Sequence, residues 1–204
     1  MLEVAQRPTP NPGPDQVLVA VSYAAVTFVE TQIRAGIMPP PGGGEPPFPL
    51  VLGNGVTGTV VETGAEVDRT WLGQPVVTAT GGSGGYAQYA AVPVRLLHTI
   101  PKGLDARNAV ALLADGRTAM ALVRAARLRP ADCVIVTAAA GGVGSLLVQL
   151  ARAAGVEAVI GLAGGDKKQE LARALGAHVA IDYRQPGWEQ DVWQATGGAG
   201  IDVA

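Results

Sequence analysis

The residues best suited to chemistry lie in one glycine-rich turn, Ala139-Ala140-Gly141-Gly142-Val143-Gly144. It follows an unbroken apolar run, Cys133-Val134-Ile135-Val136. It precedes a segment in which Val143, Leu147, Leu150, Ala151 and Ala154 recur at spacings of three and four before Gly155. The run reads as a strand covered on both faces, and the spacing as an amphipathic helix closed by a glycine. Between such elements the turn fits the dinucleotide fingerprint G-x-G-x-x-G, with Ala139 in the first glycine position. Gly141 allows close approach of a pyrophosphate, Gly144 allows close packing of helix on strand, and the helix N-terminus offers free N–H groups to an anion. Ala139, Gly141, Gly142, Val143 and Gly144 are therefore candidate cofactor-binding residues, with a turn that merely packs helix on strand as the alternative.

Which dinucleotide fits depends on the end of the next strand. An NAD site usually places an acid there to hold the ribose 2′-hydroxyl. This chain has Leu162-Ala163-Gly164-Gly165, followed by Lys167 and Lys168. An open glycine turn at Gly164 beside cations suits a 2′-phosphate, so NADPH is expected and NADH fits less well. Asp166-x-x-Gln169 reads as a capping box, with Asp166 as N-cap of the following helix. The alternative for the lysine pair is a solvated helix face.

These residues must be positioned by strands alternating with helices. After Pro101, helices are expected from Asp105 through Leu113 and over 117–128. Strands follow at 133–136, 158–162 and 179–181, helices at 167–175 and 188–195, and a fourth strand begins at Ile201. That alternation means βαβ units on a parallel sheet. Before Pro101 the pattern is different: short runs at 17–21, 58–64, 75–79 and 86–92, bounded by glycine and proline, read as strands. The proline- and glycine-rich stretch 39–47 reads as a surface loop or a substrate-side flap. The fold class is α/β, with a β-rich domain over 1–103 and a partial doubly wound dinucleotide domain over 104–204.

Composition excludes several classes. Of 204 residues 48% are apolar and 16% charged, which rules out a disordered chain. Seventeen acids against 15 bases leave a net charge of −2, so no nucleic-acid or anionic-membrane partner is expected. Cys133 is the only cysteine, which leaves no disulfide framework and no cysteine-built zinc site. The start lacks a basic then apolar leader, and residues 133–151 are broken by glycines, so a cytoplasmic protein is expected.

Several runs resemble the zinc-independent quinone oxidoreductase branch of the medium-chain dehydrogenase/reductase superfamily. They are Val136-Thr137-Ala138-Ala139-Ala140-Gly141-Gly142-Val143-Gly144, Leu175-Gly176-Ala177 with Asp182-Tyr183-Arg184, and residues 25–36. The resemblance implies a GroES-like catalytic domain followed by a Rossmann domain. It also implies that Thr118 lies near the cofactor and that Lys168 and Tyr183 hold the adenosine phosphate. Zinc-dependent relatives carry Cys where this chain has Thr27 and a His-Glu pair where it has Asn54-Gly55, so no zinc is expected. The branch has Asn and Tyr where this chain has Thr27 and Gln32. Thr27 is the candidate catalytic residue, a hydroxyl donor to the acceptor.

Glu30 and Arg34, four apart, are expected to pair on a helix. Tyr86 and Tyr89, three apart in a strand, are expected on opposite faces with one in the core. Cys133, His98 and His178 are expected to be structural. The resemblance further implies a longer parent protein and a family homodimer whose interface lies outside this sequence. The expected function is NADPH-dependent hydride transfer to a quinone or an activated alkene or carbonyl, a small-molecule acceptor. The alternatives are a nucleotide-binding protein without turnover and an inactive fragment of such an enzyme.

Overall fold

The structure is a computed structural model that describes residues 2–39 and 49–204. The proline-rich stretch read as a loop or flap lies outside the described residues, except for Pro39. The chain divides into two units, Met1–Ala114 and Asp115–Ala204.

The first unit contains β1 (Gln16–Ala24), α1 (Phe28–Arg34), β2 (Gly55–Thr63), β3 (Pro75–Ala79), β4 (Tyr89–Pro93) and β5 (Leu97–Thr99). The strands form one antiparallel sheet in the order β4-β1-β2-β3-β5. Val17, Val19, Val60, Val76 and Val92 are buried in one cluster, each burial worth about 1.5–3 kcal/mol. β1 and β2 pair with two register shifts, and there Gly58 is required. A Cβ on it would lie 2.0 Å from the Ala20 carbonyl oxygen.

α2 (Ala106–Ala126) is one continuous helix, where the sequence suggested two. Gly116 does not break it, because a mid-helix glycine costs only about 1 kcal/mol relative to alanine. Asp105 supports its start by accepting the Arg107 N–H at 2.8 Å. The helix stops where Arg127 turns left-handed at φ 51°. The division between the two units falls within it.

The second unit contains β6 (Cys133–Val136), α3 (Gly142–Ala153), β7 (Ala158–Leu162), α4 (Asp166–Ala174), β8 (Val179–Ile181) and α5 (Trp188–Ala195). Its strands are parallel, in the order β6-β7-β8. On the other side of β6, Val203 bridges Val134 in parallel, and the Ile135 N–H donates to the Val203 carbonyl at 2.9 Å. Strand order therefore reverses at β6, which is where doubly wound sheets bind ligands outside the carboxyl ends of their strands. One face of the sheet packs Val134, Val136 and Val159 with Val148 and Ala151 of α3 and Ala172 of α4. The other packs Ile160, Leu162 and Ile181 with Val192 of α5. Among the described residues, no helix is long and apolar enough to cross a membrane.

Candidate functional site

The glycine turn joins the carboxyl end of β6 to α3. Ala138 holds a left-handed backbone at φ 47°, and its carbonyl accepts the Gly141 N–H at 2.7 Å. Ala139, in the first glycine position, is buried; its N–H donates to the Leu162 carbonyl at 3.0 Å. A Cβ on Gly161 would sit 3.0 Å from the Ala139 methyl, so the alanine tightens the seat of the turn on β7. Gly144 is obligatory, since a Cβ there would lie 2.2 Å from the Ala138 carbonyl oxygen. Gly141 is the N-cap in extended conformation and provides no side-chain cap. Gly142, Val143 and Gly144 form the first turn of α3, so their N–H groups have no intrahelical acceptors. α3 has no acid of its own in that turn, and its free N–H groups and positive end suit an anion.

The carboxyl end of β7 carries Gly164 and Gly165. Gly165, at φ 88°, is the N-cap of α4, and Asp166 is the first helical residue. The expected Asp166 cap is therefore displaced by one position, because only glycine adopts the left-handed entry without strain. The first turn of α4 carries Lys167 and Lys168, both exposed. Tyr183 and Arg184 follow β8 and reach over the glycines. A Cβ on Gly164 would lie 3.3 Å from the Tyr183 hydroxyl and 3.0 Å from Arg184 Nε. Arg184 was not among the residues singled out from sequence, although it ends the Asp182-Tyr183-Arg184 run.

Arg184 is held by Asp182 in a two-pronged pair, Nε to Oδ1 at 2.9 Å and Nη2 to Oδ2 at 2.7 Å. Asp182 also accepts the Gly165 N–H at 2.9 Å. The Arg184 hydrogen bonds hold the Asp182 carboxyl well below the usual carboxylate range, and Asp182 in turn raises the Arg184 guanidinium. The acid that accepts the Gly165 N–H is thus already engaged by an arginine. Thr118 lies on α2, exposed.

In the first unit the structure centres on Glu30, the one buried charged residue among those described. Thr27 and Glu30 stand as N-cap and N3 of a capping box at the start of α1. Glu30 Oε2 accepts the Thr27 N–H at 2.5 Å, and Oε1 accepts the Asn54 N–H at 2.9 Å. The Tyr86 phenol lies near this carboxylate. Burial first, then the negative charge and hydrogen bond of Glu30, push the Tyr86 phenol up to about 12. The expected Glu30–Arg34 pair is not formed, because both Glu30 oxygens face main-chain N–H groups inside the unit. The tyrosine expectation also fails. Tyr86 precedes β4, which starts at Tyr89, and both rings remain partly exposed rather than one entering the core.

Asn54 Oδ1 accepts the Gly82 N–H at 2.7 Å, and Gln32 Nε2 donates to the Thr31 hydroxyl at 3.2 Å. Among the described residues, no three His, Cys, Asp or Glu gather as a metal set. The donors at Thr27, Asn54 and Gly55 do not fit a zinc ion, which takes thiolate, imidazole or carboxylate ligands. Cys133 is half-buried, and burial and then Asp202 and Glu157 push its thiol up. His98 lies in β5. His178 accepts the Val159 N–H on Nδ1 at 2.8 Å.

Comparison with known proteins agrees with this geometry. Residues 13–102 match the alcohol dehydrogenase GroES-like domain, and residues 142–204 the family described as zinc-binding dehydrogenase. The chain belongs to the medium-chain dehydrogenase/reductase superfamily. Within it, the chain is quinone oxidoreductase-like. It is 37% identical over 196 residues to a 2-haloacrylate reductase of a Burkholderia species, covering 95% of this chain and 58% of the relative. The structure of a Pseudomonas syringae quinone oxidoreductase superposes with a TM-score of 0.86 at 33% identity, over 97% of this chain and 59% of that one. An Escherichia coli quinone oxidoreductase complexed with NADPH superposes at 0.88 with 28% identity, over 97% and 59%. The chain thus spans less than two thirds of the length of these relatives.

Proposed function

We propose that this chain carries the cofactor cradle and the acceptor-side residues of an NADPH-dependent, zinc-independent reductase. Its acceptor is a quinone or an alkene or carbonyl activated by an electron-withdrawing group. The observation that carries the reading is the positive end of α3 behind a glycine turn, at the strand where the sheet order reverses.

NADPH, when bound, supplies the hydride. Gly141, Gly142, Val143 and Gly144 present main-chain N–H groups to its pyrophosphate, over the buried Ala139. Gly164, Lys168, Tyr183 and Arg184 form the end suited to the 2′-phosphate, and Thr118 flanks the cofactor. Thr27 provides a hydroxyl to the acceptor oxygen, on a backbone held by Glu30. A conjugated acceptor needs no strong acid there, because a hydroxyl or water can protonate its oxygen. The relative complexed with NADPH and the relative named for reduction of a haloacrylate, itself an activated alkene, support cofactor and acceptor class respectively.

The test is a parallel titration of the chain with NADPH and NADH, followed by hydride transfer to phenanthrenequinone and 2-chloroacrylate. Tighter NADPH binding with turnover of either acceptor is the expected outcome. Preference for NADH overturns the roles of Lys168 and Arg184. Binding without turnover on a broad acceptor panel identifies a nucleotide-binding protein instead.

A further inference from the structure

One side chain at the cradle has the wrong sign for an anion site. Asp115 lies on α2, half-buried. Its carboxylate fills the space beside Gly142: a Cβ built there would meet Oδ2 at 2.0 Å and Cγ at 3.0 Å. Gly142 is the first residue of α3, and that helix has no acid of its own in its first turn. A negative charge beside its first residue is therefore brought from another helix. Among the described residues, the Asp115 carboxylate has no hydrogen-bond or ion-pair partner. It is not neutralised as Asp182 is by Arg184, nor occupied by N–H groups as Glu30 is.

A helix N-terminus favours a carboxylate by its dipole and free N–H groups. A second anion brought to the same groups meets like charge at short range, which is costly at the low effective dielectric of a half-buried site. We propose that Asp115 is an affinity-setting residue of the dinucleotide cradle: its carboxylate, beside the first residue of α3, opposes a pyrophosphate brought to that helix end. The proposal rests on the cradle reading given above. It concerns charge, so it separates from any effect of bulk.

The experiment is calorimetric titration of the 204-residue chain and its Asp115→Asn and Asp115→Ala variants. The ligands are NADPH and adenosine 2′-monophosphate, which has the 2′-phosphate but no pyrophosphate. Thermal melts confirm that each variant is folded. Both variants are expected to bind NADPH about tenfold tighter than the parent, with the gain shrinking toward about threefold in concentrated salt. Adenosine 2′-monophosphate is expected to shift less than about twofold, since it leaves the α3 terminus empty.

Equal NADPH affinity in the parent and Asp115→Asn overturns the proposal. Tightening by Asp115→Ala alone also overturns it, because the effect is then one of bulk. An equal gain for both ligands overturns it as well. If all three proteins bind adenosine 2′-monophosphate and NADPH alike, the cradle reading survives and only this inference falls. If none binds either ligand, both fall together.

Discussion

The turn between β6 and α3 and the cluster around Glu30 are built from opposite materials. The first is contiguous main chain: Ala138, Ala139, Gly141 and Gly144 fix it through carbonyls, N–H groups and the absence of Cβ atoms. The second is one buried carboxylate joining Thr27 to Asn54, 24 residues beyond Glu30, and to the still more distant Tyr86. A main-chain site tolerates changes of side chain and fails where a Cβ meets backbone. A side-chain hub tolerates changes around it and fails when the hub is removed.

Gly144→Ala should have the largest effect. Its Cβ would meet the Ala138 carbonyl oxygen at 2.2 Å and carbon at 2.8 Å, and main chain cannot step aside without unseating α3. A loss of about 3 kcal/mol or more is expected in urea unfolding of the full chain. Gly142→Ala is the contrast, since its Cβ meets only the side-chain carboxylate of Asp115 and no backbone, and a change within about 1 kcal/mol is expected. Equal losses in the two variants would show that glycine flexibility, not the close approach, governs the turn.

Glu30→Ala should come next. It leaves the Thr27 and Asn54 N–H groups without their acceptor, a loss of about 2–4 kcal/mol in the same assay. Glu30→Gln keeps one acceptor oxygen and should lose less. The Tyr86 phenol, pushed up to about 12 in the parent, should fall toward its ordinary 10.0 in both variants. Its step is identified in phenolate absorbance by its absence in Tyr86→Phe. The sign of the linkage follows from the raised value. Between the ordinary 10.0 and about 12, the unfolded chain gives up a proton that folded Tyr86 keeps. The contribution is full below the lower value and is lost as pH rises through the upper one. A phenol step unmoved by loss of Glu30 would mean that burial alone raises it.

What could be read from sequence follows the same division. β6, β7, β8 and α5 were visible because apolar runs and helical spacing are local, and the cradle was visible because its requirements fall on adjacent residues. The sequence pattern predicts two helices where α2 is one, because a mid-helix Gly116 is tolerated in a continuous helix. The i to i+4 spacing of Glu30 and Arg34 is local, whereas Asn54, whose N–H Glu30 accepts, comes from just before β2. Arg184 and Asp115 were missed for a similar reason. Each meets a glycine on a different element, and only a fold shows which glycine lies beneath which charge.

At the adenosine end, Arg184→Gln and Lys168→Ala sharpen the comparison from the cofactor side. Here main-chain glycines and side-chain charges meet, at Gly164 and Gly165 beneath Arg184. Each cation lost should reduce the preference for NADPH over NADH by about fivefold, equivalent to about 1 kcal/mol for one charge-assisted contact. Arg184→Gln also releases Asp182, so its loss should exceed that of Lys168→Ala. Affinity ratios from paired titrations check this. An unchanged ratio in both variants would remove the side-chain charges from cofactor choice and leave it to the open glycine backbone.

The smallest effect is expected at His178, where a side chain does main-chain work. Its Nδ1 accepts the Val159 N–H at 2.8 Å, and its own N–H donates to the Val159 carbonyl at 2.8 Å, which extends the contact of β7 with β8. An acceptor nitrogen must be unprotonated, and burial first and then the Arg152 charge lower the ring below its ordinary 6.5. The unfolded chain therefore takes up this proton at a higher pH than the folded one. Stability from this contact is full above 6.5 and is lost as pH falls through the folded value. His178→Asn keeps an acceptor oxygen for Val159 and cannot titrate. Its stability above neutral pH should stay within about 0.5 kcal/mol of the parent, while the parent alone loses stability toward acid across the histidine range. Parallel stability curves for the two proteins below that range would show that the Val159 bond survives protonation, which the acceptor role of Nδ1 forbids.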